Sequence, residues 1–197
     1  MNLSAPSCVG LTVRRIAIGF GLVGVTALGL GIAASQSPAQ PTRDACGFDF
    51  PVGPPDATGY YDAQPFGAND HLGNDWNGLG GGDTDFGFPV FAVADGLVVE
   101  ATDQQGGWGN VIRIEHTCGD RVESLYAHLH AMHVVAGTPV VRGQQIGTIG
   151  NAGGQYRAHL HFELRDRTLP LGAGYAAERT GYVDPTDFIK RHRPVAR

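Results

Sequence analysis

The sequence predicts an all-β domain, antiparallel and of sandwich or barrel-like form, and three observations carry that reading. Short runs rich in β-branched residues follow one another closely, at 89–94, 97–101, 111–116, 122–127 and 145–149. Glycine-bearing turns separate them: Asp95-Gly96, Gln105-Gly106-Gly107, Gly119-Asp120, Arg142-Gly143 and Asn151-Ala152-Gly153-Gly154. The stretch His159-Leu160-His161-Phe162-Glu163-Leu164-Arg165 alternates polar and apolar residues. On a strand this puts His159, His161 and Glu163 on one face and Leu160, Phe162 and Leu164 on the other, facing a core.

The chain has 197 residues, enough for one domain with its own core once a leading segment is set aside. Hydrophobic content of 42%, charged content of 17% and 30 glycines fit a turn-rich β protein better than a helical one. The formal net charge is −5, and the leading segment's only charges are Arg14 and Arg15, so the remainder is more acidic still. Nucleic acid is excluded as a partner on this basis, because its binding needs clustered cations.

Taken in order, residues 1–35 come first. Arg14-Arg15 precede an uncharged run at 16–34 and then Ser35-Gln36-Ser37-Pro38-Ala39, the layout of a secretory signal peptide. The run is also long enough for an uncleaved membrane anchor, and either reading exports the remainder to the periplasm or cell surface. Of the three cysteines, Cys46 and Cys118 lie in the exported part, where an oxidising compartment would permit them to pair. Residues 36–65, with six prolines and little periodicity, read as an irregular N-terminal arm or linker lying on the domain. The domain proper is expected over 66–190. It opens with a glycine-, Asn- and Asp-rich stretch at 66–85 that cannot sustain a helix, so His71 and Asp75 are expected on irregular backbone beside a strand. After the histidine strand, 171–182 reads as a loop, 184–189 as the start of a short C-terminal helix, and 191–197 as a basic solvated tail.

Imidazole and carboxylate are good zinc ligands, and a catalytic zinc typically takes three protein ligands and leaves one position open. His71 and Asp75 sit close enough on one glycine-bearing loop to reach one ion, and the alternating strand can bring His161. Each element is weak alone. A His-x-His pair on a strand is more often simply a satisfied polar pair, and it is the joint pattern that points to metal.

The ordered motifs His71-Leu72-Gly73-Asn74-Asp75, Pro89-Val90-Phe91-Ala92-Val93-Ala94-Asp95-Gly96, Gly107-Trp108-Gly109-Asn110-Val111-Ile112, Tyr126-Ala127-His128-Leu129, Gly143-Gln144-Gln145-Ile146-Gly147 and His159-Leu160-His161-Phe162-Glu163 resemble the lysostaphin-type (LytM-type) zinc metallopeptidases. The resemblance spans roughly 66–188. It implies a β-rich domain with a long substrate groove, a bound zinc ion, and hydrolysis of peptide bonds in bacterial cell-wall peptidoglycan. It also implies that His71, Asp75 and His161 are the zinc ligands, and that His128 and His159 are unligated catalytic histidines beside the metal.

Two rival readings keep the fold. One is a non-catalytic protein that engages peptidoglycan or activates another wall hydrolase, against which stands the retention of all five polar residues. The other is a phosphotransfer-type domain, against which stands export. His130 and His133 rival His128 by proximity, whereas His116 and His192 are most simply solvent-facing. Trp76 and Trp108 are expected either in the groove or in packing. The stretch 76–88 is longer than the resemblance leads one to expect. Its acidic and amide side chains suggest calcium, but the EF-hand order is not met and a solvated turn on the groove rim is the simpler reading. Oligomeric state is not legible.

Overall fold

The structure, a computed structural model, describes residues 47–194 apart from 119 and 173. Eleven strands and one helix follow in order: β1 (Tyr60–Gln64), β2 (Asn74–Gly78), β3 (Pro89–Phe91), β4 (Gly96–Asp103), β5 (Asn110–Cys118), β6 (Asp120–Leu129), β7 (Ala131–Met132), β8 (Pro139–Val140), β9 (Gln145–Thr148), β10 (Leu160–Arg165), β11 (Tyr182–Val183) and α1 (Pro185–Arg191). The large antiparallel sheet runs β1-β2-β10-β6-β5-β4-β8, with β11 beside the end of β10 that β2 leaves free, and a three-stranded sheet runs β3-β9-β7. The five β-branched runs thus become β3, β4, β5, β6 and β9.

One face of the large sheet is apolar. Ile112, Ile114, Tyr126, Leu160, Phe162 and Leu164 form a single buried cluster with Val90 of β3 and Ile146 of β9. The helix closes one side of that core with Ile189, started by Asp184, whose side chain accepts from the Asp187 backbone N–H, and by Pro185 at its first turn. The opposite face carries His161, Glu163, Arg165, Glu123 and Arg113. It is covered by the segment after β10, whose Leu169 carbonyl accepts from both Arg113 and Arg165. This explains why all six residues of β10 are buried although they alternate in polarity.

The sequence reading differs from the structure at three places. Residues 47–65, expected as an irregular arm lying on the domain, do lie on it but are not irregular throughout. Phe48, Phe50 and Val52 alternate into the core, each burial contributing roughly 2 kcal/mol, and the last residues of the segment form the edge strand β1. Asp75 lies on strand β2 rather than on irregular backbone, because β1 and β10 pair with β2 from both sides and override its weak strand composition. His116 is fully buried rather than solvent-facing: it shares the core face with Ile112 and Ile114, its Nε2 lies 2.7 Å from Ser124 Oγ, and its Nδ1–H donates to the Asp95 carbonyl at 2.9 Å. Burial pushes its pKa down to about 4.

The apolar run at 16–34 and Cys46 lie outside the described residues, as does the side chain of Cys118. Among the described residues no helix is long and apolar enough to cross a membrane.

Candidate metal centre

His71 is delivered by irregular backbone after a short 3-10 turn, held by a bridge to Tyr175 and by its own N–H bonded to the Ala68 carbonyl. Asp75 comes from β2 and His161 from β10, directly opposite each other in the strand register. Gly73 permits this approach, since a Cβ there would lie 2.4 Å from the Phe162 carbonyl oxygen. Three atoms then converge: His71 Nε2 lies 3.0 Å from His161 Nδ1 and 3.3 Å from Asp75 Oδ1, and His161 Nδ1 lies 2.9 Å from the same carboxylate oxygen. Among the described residues these three alone form a His/Cys/Asp/Glu cluster with metal-ligand spacing.

The outward hydrogen bonds decide what those atoms can do. His71 Nδ1 faces the Gln64 carbonyl at 2.9 Å, and a carbonyl only accepts, so Nδ1 carries the proton and Nε2 a lone pair. His161 Nε2 likewise donates to Glu163 Oε1 at 3.0 Å, leaving the lone pair on Nδ1. Two imidazole lone pairs and a carboxylate oxygen therefore point at one place, which is stable only around a positive charge. Tetrahedral zinc, with bonds of roughly 2.0–2.2 Å, wants donors at about this spacing, so the residues fit the ion. A proton is the other occupant. Burial disfavours charge on His161, but its bonds to Asp75 and Glu163 prevail and raise its pKa to about 9. Burial likewise opposes the charge on Asp75, yet its bonds to His161 and His71 hold it well below the usual carboxylate range.

His159 and His128 stand beside this centre, their rings 4.7 Å apart. His159 Nδ1–H donates to the Arg157 carbonyl at 2.8 Å, and its Nε2 faces the centre 3.8 Å from Asp75 Oδ1. His128 Nδ1–H donates to the Trp108 carbonyl at 3.3 Å, and its ring is 5.5 Å from that of His161. Burial and the nearby His161 and His159 rings push the His128 pKa down to about 3, so it stands neutral. The backbone of His128 is left-handed (φ 62°), which ends the alternation of β6 there. His130 consequently goes elsewhere, its ring packed on Phe86 at 4.6 Å, and His133 is exposed; neither joins the site.

All five residues expected at the site are thus brought together, with four of them lining an open cavity of about 390 Å³. Its walls include Trp108, Tyr156 and Tyr175. Trp108 meets the His161 ring edge-on at 5.4 Å and donates Nε1–H to the Gly172 carbonyl, whereas Trp76 is buried in the core against Phe50. The sequence reading assigned no role to Glu163 or to the two tyrosines. Strand alternation already put Glu163 beside His161, but nothing in a glycine-rich turn or a loop announces that Tyr156 and Tyr175 face the same cavity.

Known proteins resemble this chain in sequence and in fold. Over 90 residues, 46% of this chain and 20% of the relative, the sequence is 41% identical to the murein hydrolase activator EnvC of Escherichia coli strain K12. Over 94 residues, 46% of this chain and 21% of the relative, it is 39% identical to the peptidoglycan DD-endopeptidase ShyA of Vibrio cholerae. The chain spans about a fifth of the length of these two relatives. The catalytic domain of the antimicrobial peptidase lysostaphin from Staphylococcus simulans matches with a TM-score of 0.50 at 28% identity, covering 73% of this chain and 89% of that one. Residues 73–173, which contain Asp75, His128 and His161 on their strands and His159 immediately before β10, match the profile of peptidase family M23, and the chain belongs to that family.

Proposed function

We propose that the domain is an exported zinc endopeptidase that hydrolyses peptide bonds in bacterial cell-wall peptidoglycan. His71, Asp75 and His161 would hold the ion, and His128 and His159 would act beside it. The observation that carries this reading is the convergence of two imidazole lone pairs and a carboxylate oxygen in the wall of an open cavity. Zinc bound there supplies Lewis acidity, which polarises a carbonyl and makes water nucleophilic near neutral pH.

The chain's own residues do the rest. His159, its Nδ1–H committed to Arg157, presents Nε2 as an acceptor for the proton that the attacking water gives up. His128, held neutral and fixed by Trp108, offers a second acceptor across the same gap. Once protonated, either ring can donate to the developing oxyanion or to the departing amine. Trp108, Tyr156 and Tyr175 wall the cavity and offer aromatic faces to a bound peptide. Glu163 orients the His161 ring.

A second reading has specific support, because a relative 41% identical over the shared segment is named as a hydrolase activator. In that reading the same groove binds peptidoglycan or a wall hydrolase without cleaving. Metal analysis and digestion of purified peptidoglycan decide between the two. The native chain is expected to hold about one zinc, as a three-ligand site requires, and to release new peptide ends. His161→Ala should lose both properties, while His159→Ala should keep zinc and lose cleavage. A native chain that binds peptidoglycan or a hydrolase without making new ends would establish the second reading instead.

A further inference from the structure

The long connection from β2 to β3, which the metal centre does not use, reaches the peptide next to His159. Asp83 of this connection and Asn77 near the end of β2 take both polar groups of Ala158: Asn77 Nδ2 donates to the Ala158 carbonyl at 3.0 Å, and Asp83 Oδ1 accepts from the Ala158 N–H at 2.7 Å. That N–H belongs to the same peptide unit as the Arg157 carbonyl. In a trans peptide the two point in opposite directions. The Arg157 carbonyl is the acceptor of His159 Nδ1–H at 2.8 Å. One rigid peptide plane therefore links the Asp83 carboxylate at one end to the His159 imidazole at the other.

The loop is built to deliver Asp83. Gly81 (φ 70°) and Gly82 (φ 58°), immediately before it, take left-handed conformations that side chains resist. Gly80 leaves room for Thr84, whose Oγ1 would be 2.5 Å from a Cβ there and which donates to the Gly81 carbonyl. Asp85 is buried and pins the base of the loop by accepting from the Gly78 N–H at 2.8 Å. On the far side, Gly87 N–H donates to the Ile149 carbonyl and Ile149 N–H donates to the Phe88 carbonyl, both at 2.8 Å. The acidic side chains that suggested calcium thus serve as acceptors for backbone N–H groups. Beyond the Arg157 carbonyl, no side chain or backbone group within hydrogen-bond reach holds the His159 ring among the described residues, so that carbonyl governs its direction and tautomer.

We propose that Asp83, supported by Asn77, is a positioning residue that sets the orientation of His159 through the peptide between Arg157 and Ala158. The inference rests on the metallopeptidase reading for its effect on turnover, but not for its effect on the ring. A negatively charged acceptor on the N–H end polarises the peptide and strengthens its carbonyl as an acceptor, fixing Nε2 toward the cavity. Asp83 is exposed, so shortening it opens no void in the core.

The test uses the zinc-loaded full chain, soluble cross-linked muropeptide dimers, and the variants Asp83→Ala and Asp83→Asn. Asp83→Ala is expected to lower kcat by about tenfold or more, the scale of a misoriented catalytic group, while KM and zinc content stay within about twofold of native. Asp83→Asn keeps an acceptor oxygen and should restore kcat. Nitrogen-15 NMR of the imidazoles gives a readout independent of turnover. The His159 Nδ1–H signal should be hydrogen-bonded in the native chain and Asp83→Asn but weakened or exchange-broadened in Asp83→Ala, with His71 and His161 unmoved. An unchanged His159 signal in Asp83→Ala overturns the proposal, as does a loss of kcat that tracks loss of zinc. If the native zinc-loaded chain cleaves no dimer, the peptidase reading fails, and the NMR signal alone decides whether the clamp exists.

Discussion

At the residue scale, Glu163 illustrates how a side chain would serve the proposed metal centre without touching the ion. Its Oε1 accepts from His161 Nε2 and its Oε2 from Arg165 Nε at 2.8 Å, so it is itself oriented while it orients the ring. Such a partner fixes the imidazole tautomer and raises its basicity, and its loss typically costs 10–100-fold in metal affinity. Glu163→Gln keeps an acceptor oxygen but removes the charge. We therefore expect zinc affinity to fall by about tenfold, at the mild end of that range, with the fold intact. Competition against a chromophoric chelator would measure it, and an affinity equal to native would remove Glu163 from the centre.

At the element scale, β10 carries two jobs on its two faces. Its apolar face anchors the core, and its polar face continues from His161 through Glu163 to Arg165, which is fully buried and lies between Glu163 and Glu123. Arg113 extends the row by bonding Glu123 at 2.9 Å and Glu100 at 3.0 Å. Breaking such a row from one side leaves carboxylates buried without compensation. Arg165→Met is expected to cost about 3–5 kcal/mol in urea unfolding of the zinc-loaded protein, far more than the loss of an exposed pair. A cost below about 1 kcal/mol would mean that solvent reaches the row. The strand itself was legible because its period of two was perfect, as were β4, β5 and β6 with their β-branched runs. β1 and β2 were not, since Tyr60–Gln64 and Asn74–Gly78 become strands through pairing across the sheet, which no local composition reveals. Motif order named the five residues expected at the site, whereas the contact made by Asp83 stayed hidden because its partner is a backbone N–H 75 residues away.

At the scale of the whole molecule, the core joining the two sheets contains a polar chain that makes its stability depend on pH. Ser124 Oγ–H donates to His116 Nε2 at 2.7 Å, the hydroxyls of Ser124 and Tyr126 are hydrogen-bonded at 3.1 Å, and Tyr126 Oη accepts from the Val93 N–H at 3.0 Å, while His116 Nδ1–H donates to the Asp95 carbonyl. The strand hairpin β5–β6 is thereby tied to the connection between β3 and β4. Alternation on β5 already put His116 on the core face, yet a histidine near a strand end reads as exposed when its partners lie across the fold. Buried and neutral, His116 has a pKa of about 4 against 6.5 for an unperturbed histidine. Between those values the unfolded chain binds the extra proton, so this contribution is complete above pH 6.5 and is lost as pH falls toward 4. Asp62 acts in the opposite sense: burial raises its pKa from 3.8 to about 6, so its contribution is present at low pH and disappears as pH rises through that range. The two partly cancel, and the informative quantity is the difference between the native chain and a variant that cannot titrate. Unfolding free energies of the native chain and His116→Gln, followed from pH 7.5 to 4.5, should converge by about 2–3 kcal/mol as the native chain loses its histidine contribution. Parallel curves would show that His116 takes up its proton as readily in the folded core as in water, and that the chain from Asp95 to Val93 opens without unfolding.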